Sequence, residues 1–337
     1  MENQTLKEEL SRRIYEHVAP PQKPPFSVEE VKNDDKQFKF YTGLTWLQFM
    51  SLWDFLGPFR DKLSCYKSSE KSEKSPDKRP GVKRNLDPLD ELFLTLISLN
   101  SGLLHKDLAY RFGICVGSVS EIVITWIQFM YLKFSALKKS MFASRETVAK
   151  NLPSCFEKLE GLRVIIDYAK FFVEQASNSE HQGNLYSSKT IIEVYKVLMG
   201  VSPTGDVMFV SDAYAESVSD AEILKQSGFL DHLEAGDLVF SDRGLAISEV
   251  LAEKGVHLNI PPCLKGRRTL TPEEEIYSKQ TSTARTNVKN CVRGINKFKL
   301  LSTVIPLSLQ PVYSQIVFVA SCLVNFQEAP VALTEAS

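Results

Sequence analysis

The chain contains 337 residues, of which 43% are hydrophobic and 24% are charged, and these values are ordinary for a globular protein with two compact units. Its net charge of −1 excludes a chain that is basic throughout, so a polyanionic partner would need a local basic surface. The six cysteines form no C-x-x-C pair, which argues against a zinc site or a disulfide framework and predicts reduced thiols. The polar N-terminus does not predict a signal peptide, and the apolar run 316–326 is too short to span a bilayer.

Both ends of the chain and one internal stretch have the composition of unpacked segments. Residues 1–36 are charged and proline-rich, so we expect a disordered or weakly helical tail there. Residues 66–85 predict a flexible linker, inside a helical region that spans 37–140. The basic cluster 74–84 suits nuclear import, although a solvated linker explains it equally well. Residues 329–337 form a second tail.

Residues 88–133 have the pattern of a helix-turn-helix. Apolar residues recur at helical spacing on both sides of Gly113, and glycine supplies the positive φ that a tight turn requires. The segment from Ser118 to Glu121 predicts a capping box that opens the second helix. This pattern is typical of DNA-binding proteins, but an ordinary packed helical hairpin has it too.

Residues 141–328 alternate short apolar strands with helices, which predicts an α/β unit. Early in this unit, the turn residues 202–205 lie between two apolar runs and predict a β-hairpin. The order predicts three antiparallel strands first, and then alternating helices and strands.

Two aspartates in this unit follow apolar strands. We expect Asp167 to end the strand 164–167, with a second short strand segment at 171–175, and Asp242 to end the strand 238–242. Ligands of open α/β sheets bind at the carboxyl ends of strands, so these two carboxylates together could hold a divalent metal for phosphoryl transfer. Taken singly, each aspartate would more simply cap the turn after its strand.

The ordered segments of the chain resemble the Harbinger-like (PIF/Harbinger) group of DDE transposases, which are DDE superfamily endonucleases. The resemblance extends over residues 38–326 and includes a helix-turn-helix ahead of the acid-bearing unit. The matching segments are 86–123, 163–175, 195–223, 237–244, 258–266, 295–309 and 315–326. The resemblance implies an α/β fold: an RNase H-like DDE domain at 141–328, with a mixed central sheet flanked by helices, preceded by an all-α helix-turn-helix region.

The same resemblance implies the partners and the cofactor. DNA is the expected partner, and a divalent metal, Mg²⁺ or Mn²⁺, is the expected cofactor. A Myb/SANT-like protein partner and a location in the nucleus, or in nucleus and cytoplasm, are also implied. Oligomers are allowed by the resemblance, and no membrane association is expected.

The family's catalytic acids are only partly present. Asp167 matches the first catalytic and metal-binding acid and Asp242 the second. The third acid is a Glu in a pattern like R-x-H-V-E-R, and the matching position is Lys289. The family's D-x-T-E runs here from Asp167 to Lys170, so a second lysine lies near the first strand. These replacements predict a catalytically degenerate member in which metal binding is weak or absent and DNA cleavage is inefficient.

Three further family positions complete the resemblance. Asp220 of the S-x-S-D motif is kept, while Glu216 stands where the family has Gly. The polar Y-K-x-H-N stretch falls on 189–193, and its Lys, His and Asn are lost. The region around the acids has therefore changed at more than one position.

The candidate DNA contacts lie on the helix-turn-helix, on one loop and on the last helix. They are Ser118, Ser120, Lys265, Arg267, Arg268, Arg285, Arg293 and Lys297. On the last helix, which includes Lys289 and is followed by Lys299, cations recur every four residues. This spacing predicts a basic stripe suited to a phosphate backbone, or simply a solvated helix face.

Three hypotheses about function stay open. In the first, the protein binds DNA without cutting it. In the second, an active metal-dependent nuclease uses Asp167 and Asp242. In the third, the fold serves as a non-catalytic scaffold for other proteins.

Overall fold

The computed structural model describes residues 26–63, 86–156, 159–176, 190–241, 245–260, 271–273, 275, 286, 289–290 and 292–328. Several predicted features lie outside these residues. They are the first 25 residues of the N-terminal tail, the linker 66–85, Asp242, the loop 265–268, Arg285 and the C-terminal tail 329–337.

The first half of the described chain is helical. Its α-helices span Val28–Val31 (α1), Asp35–Thr42 (α2), Trp46–Leu56 (α3), Pro88–Ser101 (α4), His105–Phe112 (α5), Val116–Ser135 (α6), Lys138–Met141 (α7) and Arg145–Lys150 (α8). The segment before α1 is packed, since the Phe26 ring lies 5.5 Å from the Phe93 ring and 5.6 Å from the Phe112 ring. The Phe26 N–H also donates to the Arg111 carbonyl. Residues 26–36, which the sequence assigns to a tail, are therefore part of the helical region.

The helix-turn-helix consists of α5 and α6, which meet at an angle of 103°. The turn depends on Gly113, whose φ of 65° is a left-handed conformation that favours glycine. The Cys115 side chain, and not Ser118, caps α6: its Sγ accepts a hydrogen bond from the Ser118 N–H at 3.4 Å. The predicted capping box at Ser118 is wrong, because α6 begins earlier and Ser118 lies inside its first turn.

The second half of the described chain forms a mixed sheet. Its strands span Leu162–Ala176 (β1), Thr190–Val201 (β2), Val207–Val210 (β3), Tyr214–Ala215 (β4), Leu238–Ser241 (β5), His257–Asn259 (β6) and Val304–Ile305 (β7). The strand order is β3-β2-β1-β5-β6, with β4 beside β2 and β7 beside β1. β2 is antiparallel to both β1 and β3, whereas β5 and β7 run parallel to β1, and β6 runs parallel to β5.

Four α-helices accompany the sheet in the described residues. They span Asp220–Gln226 (α9), Leu245–Glu253 (α10), Lys299–Ser302 (α11) and Tyr313–Glu328 (α12). A helical segment also precedes α11, at residues 289–290 and 292–296, and we call it the late helical segment. A helical region followed by a mixed sheet flanked by helices confirms the predicted fold class, with the RNase H-like strand order.

The hairpin of β2 and β3 has the turn that the sequence predicts, whereas β1 is longer than its sequence pattern indicates. The predicted turn at 202–205 is confirmed: Gly205 has a φ of 108° and its N–H donates to the Ser202 carbonyl. β1 is one continuous strand, whereas we predicted two short segments around 164–167 and 171–175. Antiparallel pairing with β2 continues from Ile165 to Ala176, and these ladder hydrogen bonds hold the polar residues after 166 in the strand.

One hydrophobic core joins the helical region to one face of the sheet. The same cluster of buried side chains contains Trp126 and Phe134 of α6, Phe171 of β1 and Phe298 at the end of the late helical segment. α12 packs directly on α6, where the Tyr131 and Phe318 rings lie 5.3 Å apart. The opposite face of the sheet has its own smaller cluster, which α9 and α10 cover. The helix-turn-helix is therefore packed against the sheet unit through the C-terminal half of α6.

The helical stretch Leu307–Gln327 has the length and apolar composition of a membrane span, unlike the shorter run that the sequence suggests. Of the most apolar window of this stretch, 61% is buried inside the protein. This degree of burial is typical of a core helix, and the packing of α12 on α6 explains the apolar composition.

Candidate functional site

Asp167 lies inside β1 and is half-buried, whereas the sequence predicts that it ends a strand. Side chains alternate between the two faces of a strand, and the flanking odd-numbered residues Ile165, Ala169 and Phe171 belong to the shared core. Asp167 is therefore on the sheet face that the shared core covers. Its Oδ1 accepts a hydrogen bond from the Tyr168 N–H at 2.9 Å.

The last residues of β5 pair with the residues that precede Asp167 in β1. The parallel register pairs Ile165 with Phe240 and Ile166 with Ser241. Ser241 is the last residue described before Asp242, which itself lies outside the described residues. The predicted adjacency of Asp167 and Asp242 therefore stays a prediction, and the residues that precede the two acids are paired neighbours.

Lys170 lies on the opposite face of the sheet from Asp167. It is three residues further along β1, an odd offset that reverses the side chain. Its Nζ pairs with Glu216 Oε1 at 2.6 Å, and this hydrogen-bonded ion pair lowers the pKa of Glu216. Lys170 therefore lies on the first strand, but its charge is on the sheet face opposite Asp167 and is paired with Glu216.

The neighbouring ion pair on that opposite face is more buried. Lys196, which faces Lys170 across β1 and β2, has a side chain that is 11% exposed, and it donates to Asp220 Oδ1 at 2.9 Å. The Tyr168 hydroxyl donates to the Asp220 carbonyl at 2.9 Å, and burial raises the pKa of Tyr168. Asp220, which the resemblance identifies as a kept family position, thus joins α9 to the strand that carries Asp167.

Lys289 lies in the late helical segment with an exposed side chain. Further along this segment, Ile295 and Phe298 are buried in the shared core. The same core also contains side chains from the Asp167 face of the sheet, so the chain that follows Lys289 leads into the core that covers that face. Lys289 itself is exposed, at the position where the resemblance expects a third carboxylate.

The N-terminal end of α6 is the exposed part of the helix-turn-helix. Ser118 and Ser120 are half-buried, and between them Val119 is completely buried. The residues just before them, Val116 and Gly117, are exposed, and a Cβ on Gly117 would meet nothing within 4 Å. Both serines are therefore at the edge of the accessible surface, with small side chains around them.

The sequence analysis missed two residues of this surface. Tyr110 of α5 is 88% exposed, and Lys106, one helical turn earlier, is exposed as well. Their signal was in the sequence, because they lie on the face of α5 opposite the buried residues Leu108 and Phe112.

The predicted basic contacts divide into two groups. Arg293 and Lys297 are exposed, and Arg293 Nη1 donates to Asn290 Oδ1 at 3.0 Å. The other predicted basic contacts, which are Lys265, Arg267, Arg268 and Arg285, lie outside the described residues. Of the basic stripe predicted for the last helix, the structure describes Lys289, Arg293 and Lys297, and all three are exposed.

Two family models match the chain in the order that the fold indicates. Residues 166–325 match the family described as DDE superfamily endonuclease. Residues 84–136 match the family described as helix-turn-helix of DDE superfamily endonuclease. The chain therefore has the endonuclease domain of the DDE superfamily, preceded by the helix-turn-helix of the same superfamily. The fold and the two matches agree on a DDE superfamily endonuclease domain preceded by the helix-turn-helix of that superfamily.

Solved structures of one transposase are similar to this chain at low identity. A crystal structure of a pre-cleavage Mos1 transpososome is 11% identical, covers 94% of this chain and 89% of its own, and has a TM-score of 0.19. A Mos1 transposase paired-end complex with left transposon end is also 11% identical, covers 94% of this chain and 90% of its own, and has a TM-score of 0.20. No curated protein sequence matches the chain significantly.

DDE endonucleases generally use divalent metals. At the position where the resemblance places their third carboxylate, this chain has an exposed lysine, and a lysine supplies a positive charge where a metal needs an anionic oxygen. In the part of the chain that the structure describes, no group of three or more His, Cys, Asp and Glu side chains is placed to hold a metal. Asp242 lies outside the described residues, so the disagreement with a three-carboxylate metal site depends on the lysine at position 289.

Proposed function

We propose that the chain is a transposase-derived protein of the Harbinger-like group that binds DNA and does not cleave it efficiently. The observation that carries this proposal is Lys289, which stands where the resemblance places the third acid, on a helical segment that leads into the core covering the Asp167 face of the sheet. The DNA-binding part rests on the helix-turn-helix, whose α6 has an accessible N-terminal end.

Electrostatics explains why one replacement is enough to impair cleavage. Phosphoryl transfer depends on stabilising charge that develops in the transition state, and divalent metals supply most of that stabilisation in this superfamily. A lysine at position 289 repels a divalent ion and offers it no lone pair. Each loss of about 1.4 kcal/mol in transition-state stabilisation lowers the rate about tenfold.

The chain offers no acid near Lys289 in sequence that could take over its role. Residues 276–327 contain no Asp or Glu at all. Glu273 and Glu275 precede Lys289 by 14 residues or more, which is about 20 Å along a helix at 1.5 Å per residue. A magnesium ligand must approach its ion to about 2.1 Å, so we do not expect these glutamates to replace the missing carboxylate.

A second candidate function is a residual nuclease that uses Asp167 and Asp242. The register between β1 and β5 favours it, since Ile166 pairs with Ser241 and the next residue of the sequence after each is one of the two acids. Two carboxylates on neighbouring strands would retain some affinity for Mg²⁺ or Mn²⁺. We rank this function second because the third ligand has been replaced by a cation.

Three further parts of the proposal rest on the resemblance alone. They are a Myb/SANT-like protein partner, a location in the nucleus or in nucleus and cytoplasm, and the formation of oligomers. The basic cluster 74–84 supports the nuclear location. If a fluorescent fusion stays nuclear after the basic residues of 74–84 are replaced by glutamine, this cluster is not the import signal.

Salt-titrated DNA binding by the full chain tests the proposed function against the scaffold hypothesis. We expect the chain to bind a mixed-sequence duplex with an affinity that falls steeply as salt concentration rises, because phosphate contacts release counterions. Absence of measurable binding at low salt would contradict the proposal and favour a protein–protein scaffold.

A further inference from the structure

The end of α4, just before the helix-turn-helix, and the start of α11, just after the late helical segment, meet at a close contact. Gly102 ends α4 with a φ of 60°, and a Cβ at this position would lie 2.9 Å from Lys299 Cβ and 3.2 Å from the Lys299 carbonyl carbon. Such distances are too short for any side chain, so Gly102 allows α4 to touch the backbone at the start of α11. This contact therefore joins the end of α4 to the part of the chain that directly follows Arg293 and Lys297.

Exposed cations lie on both sides of this contact. On the helical side, Lys106 is exposed in the first turn of α5, and Tyr110 is 88% exposed one turn later. On the other side, Lys299 is exposed at the contact, and Lys297 and Arg293 are exposed before it, one helical turn apart. We call these five residues the bridging strip.

The positive charge of the bridging strip has few acids around it. Residues 276–327 contain six Lys or Arg and no Asp or Glu, although the whole chain has a net charge of −1. On α5, the carboxylate of Asp107 is already paired with Arg111 at 2.6 Å. A local excess of cations on a nearly neutral protein is the electrostatic pattern of a polyanion-binding surface.

We propose that one DNA duplex contacts both regions at once, with its phosphate backbone lying along the bridging strip from α5 across the Gly102–Lys299 contact to Arg293. This inference rests on the proposed DNA-binding function and specifies where the duplex lies. The turn at Gly113 leads from the end of α5, the helix that carries Lys106 and Tyr110, to the exposed first turn of α6, so in this proposal a duplex on the strip also brings its groove to that turn. The shared core holds the two regions in one arrangement, which gives the duplex a fixed position relative to the acid-bearing face.

Tyr110 has a different role in this arrangement from the four cations. A tyrosine hydroxyl donates a hydrogen bond to a phosphate oxygen but releases no additional counterion by itself. Its removal therefore weakens binding at every salt concentration by a similar factor. The lysines and Arg293, in contrast, determine how steeply binding depends on salt.

The test measures binding of the full chain to one short mixed-sequence duplex by fluorescence anisotropy, between about 50 and 200 mM salt. One variant combines Lys297→Gln and Lys299→Gln, and a second carries Lys106→Gln. The matched control combines Lys150→Gln and Lys225→Gln, two exposed lysines of α8 and α9, helices that pack on the opposite face of the sheet. Thermal melting establishes that all variants remain folded.

We expect the logarithm of the binding constant to depend less steeply on the logarithm of salt, by about 1.8 for the double variant and about 0.9 for Lys106→Gln. Over the same salt range the double variant then loses about tenfold less affinity than the natural sequence. The control should keep the natural slope. Tyr110→Phe should lower the affinity and leave the slope unchanged.

The outcomes separate this inference from the proposed function. If the natural sequence does not bind the duplex, the DNA-binding function and the bridging strip both fail. If it binds and only one of the two strip variants changes the slope, the duplex does not span both regions and the inference is overturned. If both strip variants behave like the control, DNA binds elsewhere and the strip serves another anionic partner, which also overturns the inference.

Discussion

The helical region and the sheet pack on the same core, yet they retain different amounts of functional chemistry. The helix-turn-helix keeps its turn at Gly113, its 103° angle and the accessible end of α6. The sheet keeps Asp167 and the register toward Asp242, but Lys289 stands where the resemblance places a third acid. A phosphate-binding surface needs only exposed cations, whereas a magnesium site needs several oxygens at about 2.1 Å from the ion. DNA cleavage is therefore easier to lose by substitution than DNA binding.

The comparison also explains how the fold can survive the loss of an acid. The shared core consists of hydrophobic side chains and Lys289 is exposed, so the core does not depend on a carboxylate at position 289. Lys170 illustrates the same point on the other face of the sheet, where Glu216 neutralises it. We infer that substitutions around the acids are accommodated locally, while the shared core keeps the DNA-binding region in place.

The largest expected effect comes from a substitution in the core that the two regions share. Phe134 of α6 is 1% exposed, and its ring lies 5.4 Å from Phe55 and 5.9 Å from Phe326 of α12. We expect Phe134→Ala to lower the free energy of unfolding by about 3–5 kcal/mol, through lost burial and the cavity that remains. Phe172→Ala, at a position that is 43% exposed, is the matched control and should cost much less.

Two optical probes test whether this loss affects both regions. The three tryptophans, Trp46, Trp53 and Trp126, all lie in the helical region, so their fluorescence reports on that region alone. Far-UV circular dichroism reports on helices and strands throughout the chain. We expect the two unfolding curves of Phe134→Ala to coincide. A fluorescence transition that shifts without the circular dichroism transition would show that the regions unfold independently.

The two lysines that face each other across β1 and β2 should differ in their effect on stability. Lys196 is 11% exposed and hydrogen-bonds to Asp220, which is 41% exposed. We expect Lys196→Met to lower the free energy of unfolding by about 1–2 kcal/mol, a value reduced by the solvent around Asp220. Lys170→Gln should change stability less, because both members of its pair are more than half exposed. Equal losses in urea unfolding would contradict the difference in burial.

The Lys170 pair should also respond to pH in a defined direction. The hydrogen bond from Lys170 lowers the pKa of Glu216 in the folded protein. A depressed folded pKa adds stability above the ordinary glutamate pKa of about 4.3, and this stability disappears as the pH falls through the lower folded value. The difference in melting temperature between the natural sequence and Lys170→Gln should therefore shrink below about pH 4.

The sequence predicted the helix-turn-helix and the sheet order because local signals determine them. Gly113 and the turn at 202–205 have conformations that few other residues adopt, and the apolar spacing identifies the buried faces. The interior position of Asp167 was not predictable in the same way. An acid after an apolar run is typical of a strand end, and only pairing with β2, which is distant in sequence, extends the strand.

Two other differences have similar physical causes. Sequence rules favour Ser over Cys as an N-cap, yet burial of Val119 and Ile122 determines where α6 begins, and Cys115 occupies the cap. Phe26 lies in a proline-rich context that predicts a tail, but its ring fills a space between α4 and α5. In both cases tertiary packing overrides the local signal.

A single substitution at position 289 should recover part of what the sheet has lost. We expect Lys289→Glu to bind Mn²⁺ more tightly, since it restores a carboxylate and removes a cation. A tenfold gain in affinity corresponds to about 1.4 kcal/mol, so saturating Mn²⁺ should raise the melting temperature by a few degrees, about 3 °C, relative to the natural sequence. Lys289→Gln is the control, because it removes the cation without adding a ligand. Equal Mn²⁺ responses of the two variants would show that position 289 does not face the metal.

The smallest expected effect concerns the accessible end of α6. Hydrogen bonds from Ser118 lower the pKa of the exposed Cys115 thiol, whereas burial raises the pKa of Cys322 to about 12. Alkylation of Cys115 should therefore rise with pH at values below the ordinary thiol pKa of about 8.5, and Cys322 should react far more slowly. Saturating duplex should slow alkylation of Cys115, measured site by site with mass spectrometry. An unchanged rate at Cys115 would mean that this end of α6 does not contact DNA.

Metal-dependent nicking of supercoiled plasmid tests the central claim, that this protein binds DNA without cutting it efficiently. The natural sequence is compared with Asp167→Ala in Mg²⁺ and in Mn²⁺, at protein concentrations that saturate DNA binding. We expect DNA binding by both proteins and the same background nicking from both, because the site already lacks its third carboxylate. Robust nicking by the natural sequence that Asp167→Ala abolishes would contradict the account, and would show that Asp167 and Asp242 suffice for catalysis despite Lys289.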